Sequence, residues 1–223
     1  MPRGFRILPM PERAPASVVA ALGERVAAHL SDCMGRIHSA TGLRPMHRGA
    51  RMVGSAYTVK VPPGDNLMVH KAIDMAAPGD VIVVDAGGVL EQAIIGEIMS
   101  SWAAQRGIAG MVIDGAVRDA AALAQNAFAV YAKGVTPRGP YKNGPGEINC
   151  PVAVGGMVVM PGDIVVGDED GVVCVPKADA EEILAAALAQ AEKEDAILAD
   201  IRRGALDRAW VDETLRARGC TLP

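Results

Sequence analysis

Aromatic side chains are almost missing from this chain: 3% of its 223 residues, against 50% hydrophobic overall. Ala, Val, Ile, Leu and Met must therefore build the core, and the length is enough for a substantial one. A basic face is also missing. The net charge is −4 and the basic residues are scattered, which argues against a nucleic-acid partner. The four cysteines, Cys33, Cys150, Cys174 and Cys220, form no CxxC or other zinc spacing, so free thiols in a reducing compartment are expected. The four histidines, His29, His38, His47 and His70, show no paired metal spacing either. No uncharged apolar run approaches the ~18 residues of a membrane span. The segment from Met1 to Pro15 lacks the apolar core of a signal peptide. No membrane association and a cytoplasmic location are the expectations.

What the chain has instead is punctuation: 25 Gly and 15 Pro, which imply many turns. Residues 1–13 read as an irregular arm, and the division expected is an N-terminal arm, 1–16, before one domain, 17–223. Ser17 can cap a helix carrying Val18, Val19, Leu22, Val26 and Leu30 at helical period. Met52 to Val61 reads as a strand, and Asp65-Asn66 opens a helix. Pro78-Gly79-Asp80 turns the chain into Val81 to Asp85, which is apolar on both faces as in a central parallel strand. A helix over Ile98 to Gln105, stopped by Gly107, leads to a second apolar strand, Gly110 to Asp114. Strand, helix and strand at this spacing form a βαβ unit.

A further helix is predicted from Ala120 to Asn126, then a loop-rich stretch from Lys133 to Asn149. Four strands follow: Val152 to Val154, Met157 to Met160, Ile164 to Gly167 and Val172 to Val175. The last two should form a hairpin through Asp168-Glu169-Asp170-Gly171. Pro161-Gly162-Asp163 echoes Pro78-Gly79-Asp80 as one turn solution used twice. A long helix, Ala178 to Arg203, is closed by Gly204, and a short helix, Ala209 to Ala217, ends the chain.

The chemistry-bearing stretch runs from Gly96 to Asp119. Gly96-Glu97-Ile98-Met99 fits one continuous helix from Leu90 with a tolerated glycine. It equally fits a break at Gly96, whose free N–H groups would hold a carboxylate at a helix N-terminus. Arg118-Asp119 follows the strand ending at Asp114. Asp119 can cap the next helix, or it can bind a metal while Arg118 supplies a charged fork for an oxyanion. Glu194 lies in the apolar stripe Leu184, Ala187, Ala191, Leu198 and Ile201. It is either solvated or delivered to a neighbouring subunit. His70 could line a pocket. Lys71 raises a Schiff-base route that nothing else singles out.

Taken together, Gly64-Asp65-Asn66-Leu67 with His70-Lys71-Ala72, Pro78-Gly79-Asp80, Gly96-Glu97, Asp114 to Asp119, Gly139-Pro140-Tyr141-Lys142, Pro161-Gly162-Asp163 and Asp168 to Val173 resemble one family. It is that of the 4-hydroxy-4-methyl-2-oxoglutarate aldolases and their regulator of ribonuclease activity A relatives, over roughly residues 17 to 220. The resemblance implies an α/β fold of the swivelling β/β/α type with a central βαβ unit and a long C-terminal helix, assembled as a homotrimer or hexamer. It implies a divalent-metal-dependent aldolase, with Mg²⁺ or Mn²⁺, that releases pyruvate from a 2-oxo acid and also decarboxylates oxaloacetate. Asp119 would hold the metal, Arg118 would contact the pyruvyl oxygens, and Gly96, Glu97, Ile98 and Met99 would hold the substrate carboxylate. Glu97 would be an acidic group beyond the metal's own ligands. Glu194 of the adjacent subunit would reach the metal's hydration shell. The family's usual acidic residue three positions after the metal Asp is Ala122 here, a departure that bears on which aldol substrate is favoured. The regulator branch lacks the metal Asp altogether.

Overall fold

The computed structural model describes residues 3–49 and 51–222. In chain order, β1 (Phe5–Ile7) precedes α1 (Ala16–Gly23), α2 (Ala27–Cys33) and β2 (Arg44–Pro45). Then come β3 (Met52–Lys60), α3 (Leu67–Met75), β4 (Asp80–Asp85), β5 (Ala93–Ile95) and α4 (Glu97–Gln105). They are followed by β6 (Gly110–Val117), α5 (Ala120–Gln125) and β7 (Ala129–Val135). Five short strands come next: β8 (Gly146–Ile148), β9 (Val152–Val154), β10 (Met157–Val159), β11 (Ile164–Asp168) and β12 (Gly171–Val175). α6 (Ala180–Arg202) and α7 (Ala209–Ala217) complete the chain.

Strands β3, β4, β6 and β7 lie side by side and parallel within a larger mixed sheet. The residues of β4 explain the layering. Ile82 and Val84 pack into an apolar cluster with Val69 and Ile73 of α3 and Ala103 of α4. Val81 and Val83 face the other way, against Val152, Val154, Met157 and Val159 of β9 and β10. All four are fully buried, as the alternation of a strand covered on both faces requires. Each contributes about 1.5–3 kcal/mol of burial, an upper range because denatured chains are already partly collapsed. A third cluster joins Leu22 and Leu30 of the first helices to Ile164, Val166 and Val175. This is the α/β, two-sided architecture expected.

The residues up to Ala187 form one compact unit, and those from Leu188 onward form a second. In the first, Ala180, Ile183 and Ala187 of α6 are buried. In the second, Leu198, Ile201 and Trp210 are exposed.

Several expectations need correction. The helix from Ser17 is two helices. Asp168 accepts the Ala27 N–H at 2.8 Å and starts α2 afresh, while Pro15 is the residue that precedes α1. A Cβ on Gly23 would lie 2.6 Å from Val53 Cγ1, so the end of α1 rests directly on β3. The arm is not wholly irregular, because β1 pairs in parallel with β8, and Arg6 bonds Glu147 at 2.9 Å. That pairing spans some 140 positions, beyond any local pattern. The loop-rich stretch contains the end of β7 and all of β8.

The repeated turn holds in detail. Asp80 N–H donates to Ala77 O at 3.1 Å and Asp163 N–H to Met160 O at 3.1 Å. Each carboxylate then accepts the first residue's N–H, at 2.9 and 3.0 Å. Gly79 and Gly162 sit at φ 85° and 87°, where only glycine is unstrained.

Candidate active site

The site is assembled by strand register. The first half of β6 pairs with β4, from Val81↔Gly110 to Asp85↔Asp114. Its last residues pair with β5 instead, Ala93↔Ala116 and Ile95↔Val117. Arg118 N–H continues the ladder to Ile95 O at 3.0 Å. Gly96, one step beyond β5, therefore meets Arg118 and Asp119, one and two steps beyond β6.

The two readings of Gly96 are now decided. No helix runs through from Leu90. Ala93–Ile95 is a buried strand, and α4 begins at Glu97 with Gly96 as its N-terminal flank. The N–H groups of Glu97, Ile98 and Met99 thus have no carbonyl one turn back within the helix. Glu97 N–H donates to Asp119 Oδ2 at 3.0 Å. The helix dipole points the same end at that carboxylate.

Asp119 precedes α5 but makes no capping hydrogen bond with its side chain. Its carboxylate reaches back across the strand ends to α4. Its backbone sits in the left-handed region, φ 57° and ψ 40°. A non-glycine residue there costs about 1 kcal/mol and is found at functional sites. Arg118 Nε lies 3.6 Å from the same Oδ2, and both side chains remain about 40% exposed. Gly96 has no room for a side chain. A Cβ there would collide with Asp119 Oδ2 and lie 2.8 Å from Arg118 Cγ. Ala122, one turn along α5, is half-buried and offers no oxygen.

A cleft of about 270 Å³ opens beside this pair. Gly96, Ile98, Met99 and Arg118 line it together with Asn66, His70, Gly139 and Lys142. Its walls come from segments that follow parallel strands, where open α/β sheets bind ligands. Asn66 is 1% exposed. Its amide N–H₂ donates to Ile94 O at 2.8 Å and to Met99 Sδ at 3.2 Å. Asn66 Oδ1 and His70 Nε2 are buried without a hydrogen-bond partner among the described residues. Burial pushes the His70 imidazole below its usual range, and Lys142 adds to this while Asp74 opposes it.

Of the residues singled out from sequence, Gly96, Glu97, Ile98, Met99, Arg118 and Asp119 come together here. Glu97 is exposed at the start of α4. Glu194 belongs to the second compact unit, is half-buried, and accepts the Gln190 amide at 2.7 Å. Lys71 is exposed and is not among the residues lining the cleft. Asn66 and Lys142 were not marked as site residues. Their only signal was membership of the motifs that carry the family resemblance. Among the described residues, no group of three or more His, Cys, Asp or Glu could hold a metal by itself.

Comparison with known proteins gives the family. A Halalkalibacterium halodurans protein provisionally named 4-hydroxy-4-methyl-2-oxoglutarate aldolase is 42% identical over 156 residues, 70% of this chain and 74% of that one. A Thermus thermophilus protein named 4-hydroxy-4-methyl-2-oxoglutarate aldolase is 37% identical over 128 residues, 57% of this chain and 77% of that one. Among solved structures, the RNA-processing inhibitor RraA from Thermus thermophilus superposes with a TM-score of 0.63 at 32% identity. That match covers 69% of this chain and 93% of the inhibitor. The family model described as RraA-like, Aldolase/RraA, matches residues 27–174, which hold every residue of the cleft, and the chain belongs to that family.

Proposed function

We propose that this chain is a divalent-metal-dependent lyase that cleaves 4-hydroxy-4-methyl-2-oxoglutarate, or a related 4-hydroxy-2-oxo acid, to pyruvate. The observation that carries the reading is the Gly96 cradle. A strained Asp119 presents its carboxylate against a helix start and beside a guanidinium, in space that a single Cβ would fill. A purely inhibitory role, of the kind named for the Thermus RNA-processing inhibitor, gives this arrangement no purpose.

The residues fit Mg²⁺ or Mn²⁺. Hard cations of this kind accept one or two carboxylates and complete their shell with water and substrate oxygens. Asp119 would hold the ion, with Glu97 as a further acidic group nearby. When bound, it supplies Lewis-acid polarisation of the substrate's 2-oxo group.

The chain's own groups do the rest. The N–H groups of Ile98 and Met99 receive the 1-carboxylate at the helix start. Arg118 faces the oxygen that gains charge. A water held by Glu97, or by Glu194 of a neighbouring copy, takes the 4-hydroxyl proton. The C3–C4 bond breaks, C4 becomes a carbonyl, and the bonding pair passes through C3 onto the 2-oxo oxygen. C3 then recovers the proton, and pyruvate leaves with the second oxo acid. Oxaloacetate loses carbon dioxide through the same enolate, so decarboxylation belongs to the same proposal. Lys142, which also lines the cleft, suits a second carboxylate. Leu188, Leu198 and Ile201 are 45%, 48% and 51% exposed, which supports a trimer or hexamer that covers them.

The test is pyruvate release from both acids with Mg²⁺, with and without EDTA, for wild type and Asp119→Asn. Release that depends on metal and nearly vanishes in the folded variant is expected. Release indifferent to EDTA, or a borohydride-trapped adduct on Lys71, would overturn the reading.

A further inference from the structure

Lys142 reaches the cleft from a loop whose backbone is held by a single buried carboxylate. Asp65 is 4% exposed and sits between β3 and α3. Its Oδ2 accepts the Asn143 N–H at 2.6 Å and the Gly144 N–H at 3.0 Å. Its Oδ1 accepts the Leu67 N–H at 3.0 Å. The backbone on either side adds two bonds: Tyr141 N–H to Gly64 O at 2.7 Å and Asn66 N–H to Tyr141 O at 3.0 Å. Lys142 lies between the residues so held.

We propose that Asp65 is the positioning residue that fixes Lys142 in the cleft and so sets selectivity for a 2-oxo acid with a second, distal carboxylate. The inference rests on the proposed function. Three features support it. Asp65 itself is not among the residues lining the cleft, so it acts through another group. A carboxylate accepting three main-chain N–H groups is a strong, charge-assisted anchor. Asn66, the next residue, lines the cleft and bonds Ile94 O of β5. One dipeptide thus ties the Lys142 loop to the strand that carries Gly96. A plain helix-capping role would need only the Leu67 contact and would leave the two bonds to Asn143 and Gly144 without a use.

Asp65→Asn is the discriminating change, because an amide has one acceptor oxygen and must abandon one of the two sets of N–H groups. The assay is calorimetric binding of two uncleavable probes with Mg²⁺: pyruvate, and 2-oxoglutarate as the diacid. Asp65→Asn should weaken 2-oxoglutarate about tenfold and pyruvate no more than about twofold, as loss of one positioned ion contact would. Lys142→Met should do the same, and the double variant should be no worse than Lys142→Met alone. Additive losses in the double variant, or equal losses on both probes, would overturn the proposal.

Amide hydrogen exchange of the wild-type protein is independent of any variant. Asn143 and Gly144 should be protected, and free exchange there would also overturn the clamp. Wild-type protein that binds neither acid would overturn both the proposed function and the selectivity role. Binding of both acids with unprotected Asn143 and Gly144 would overturn the clamp alone.

Discussion

Gly96→Ala isolates the geometry on which the site depends. The backbone at Gly96 has φ −151° and ψ −161°, extended and open to alanine, so no backbone strain enters. The whole effect comes from the added methyl. It would collide with Asp119 Oδ2 and press on Arg118 at 2.8 Å from Cγ and 3.2 Å from Nε. The carboxylate must swing away and release the Glu97 N–H. Losing one partly exposed, charge-assisted hydrogen bond costs about 1–2 kcal/mol, so the thermal midpoint should fall by about 2–8 °C in a chain of this size. Catalysis should suffer more, because a displacement of about 1 Å in a reacting constellation costs about a hundredfold. The assay is kcat/KM for metal-dependent pyruvate release, beside circular dichroism and a melting curve. A folded variant with kcat/KM within about twofold of wild type would refute the reasoning, since a geometric requirement of this kind cannot be absorbed silently.

The sequence carried more of the fold than of the site. Val81 to Val84 announces a strand buried on both faces, and the two Pro-Gly-Asp turns announce themselves by repetition. Neither depends on distant partners. By contrast β5 is three residues, Ala93–Ile95, inside a stretch that also suits a helix. Only its pairing with Ala116 and Val117 decides the matter. Gly96 and Asp119 were therefore visible as chemistry but not as neighbours. Asp119 was also suited to capping α5, and the structure resolves this by directing its side chain to Glu97. The break between α1 and α2 was illegible because Asp168, which accepts the Ala27 N–H, lies 141 residues away. Lys142 and Asn66 meet for the same reason, through bonds between segments some 75 residues apart.

Three further outcomes follow from particular contacts. Arg13 makes two bonds, 2.7 and 2.6 Å, to Asp80, whose side chain is 1% exposed. Arg13→Ala should cost about 2 kcal/mol and lower the thermal midpoint by about 4–8 °C, whereas an unchanged midpoint would mean the arm is not anchored there. Burial, and then Lys142, depress the His70 pKa below 6.5. The unfolded chain then takes up the proton more readily than the folded one. The stability His70 contributes is full above about pH 6.5 and is lost as pH falls through the folded value, so urea midpoints of His70→Gln should decline less on acidification than those of wild type. The last outcome concerns Glu194. Its carboxylate lies on a helix whose neighbouring Leu198 and Ile201 are about half exposed, a surface that suits coverage by another copy. If Glu194 of one copy completes the cleft of the next, Asp119→Asn and Glu194→Gln chains are each inactive alone. Mixed oligomers would contain some interfaces with both residues intact, and activity should return in proportion to those interfaces. Proven subunit exchange without recovered activity, or an active monomer in sedimentation, would refute a shared site, because in either case one chain alone must supply every group the reaction uses.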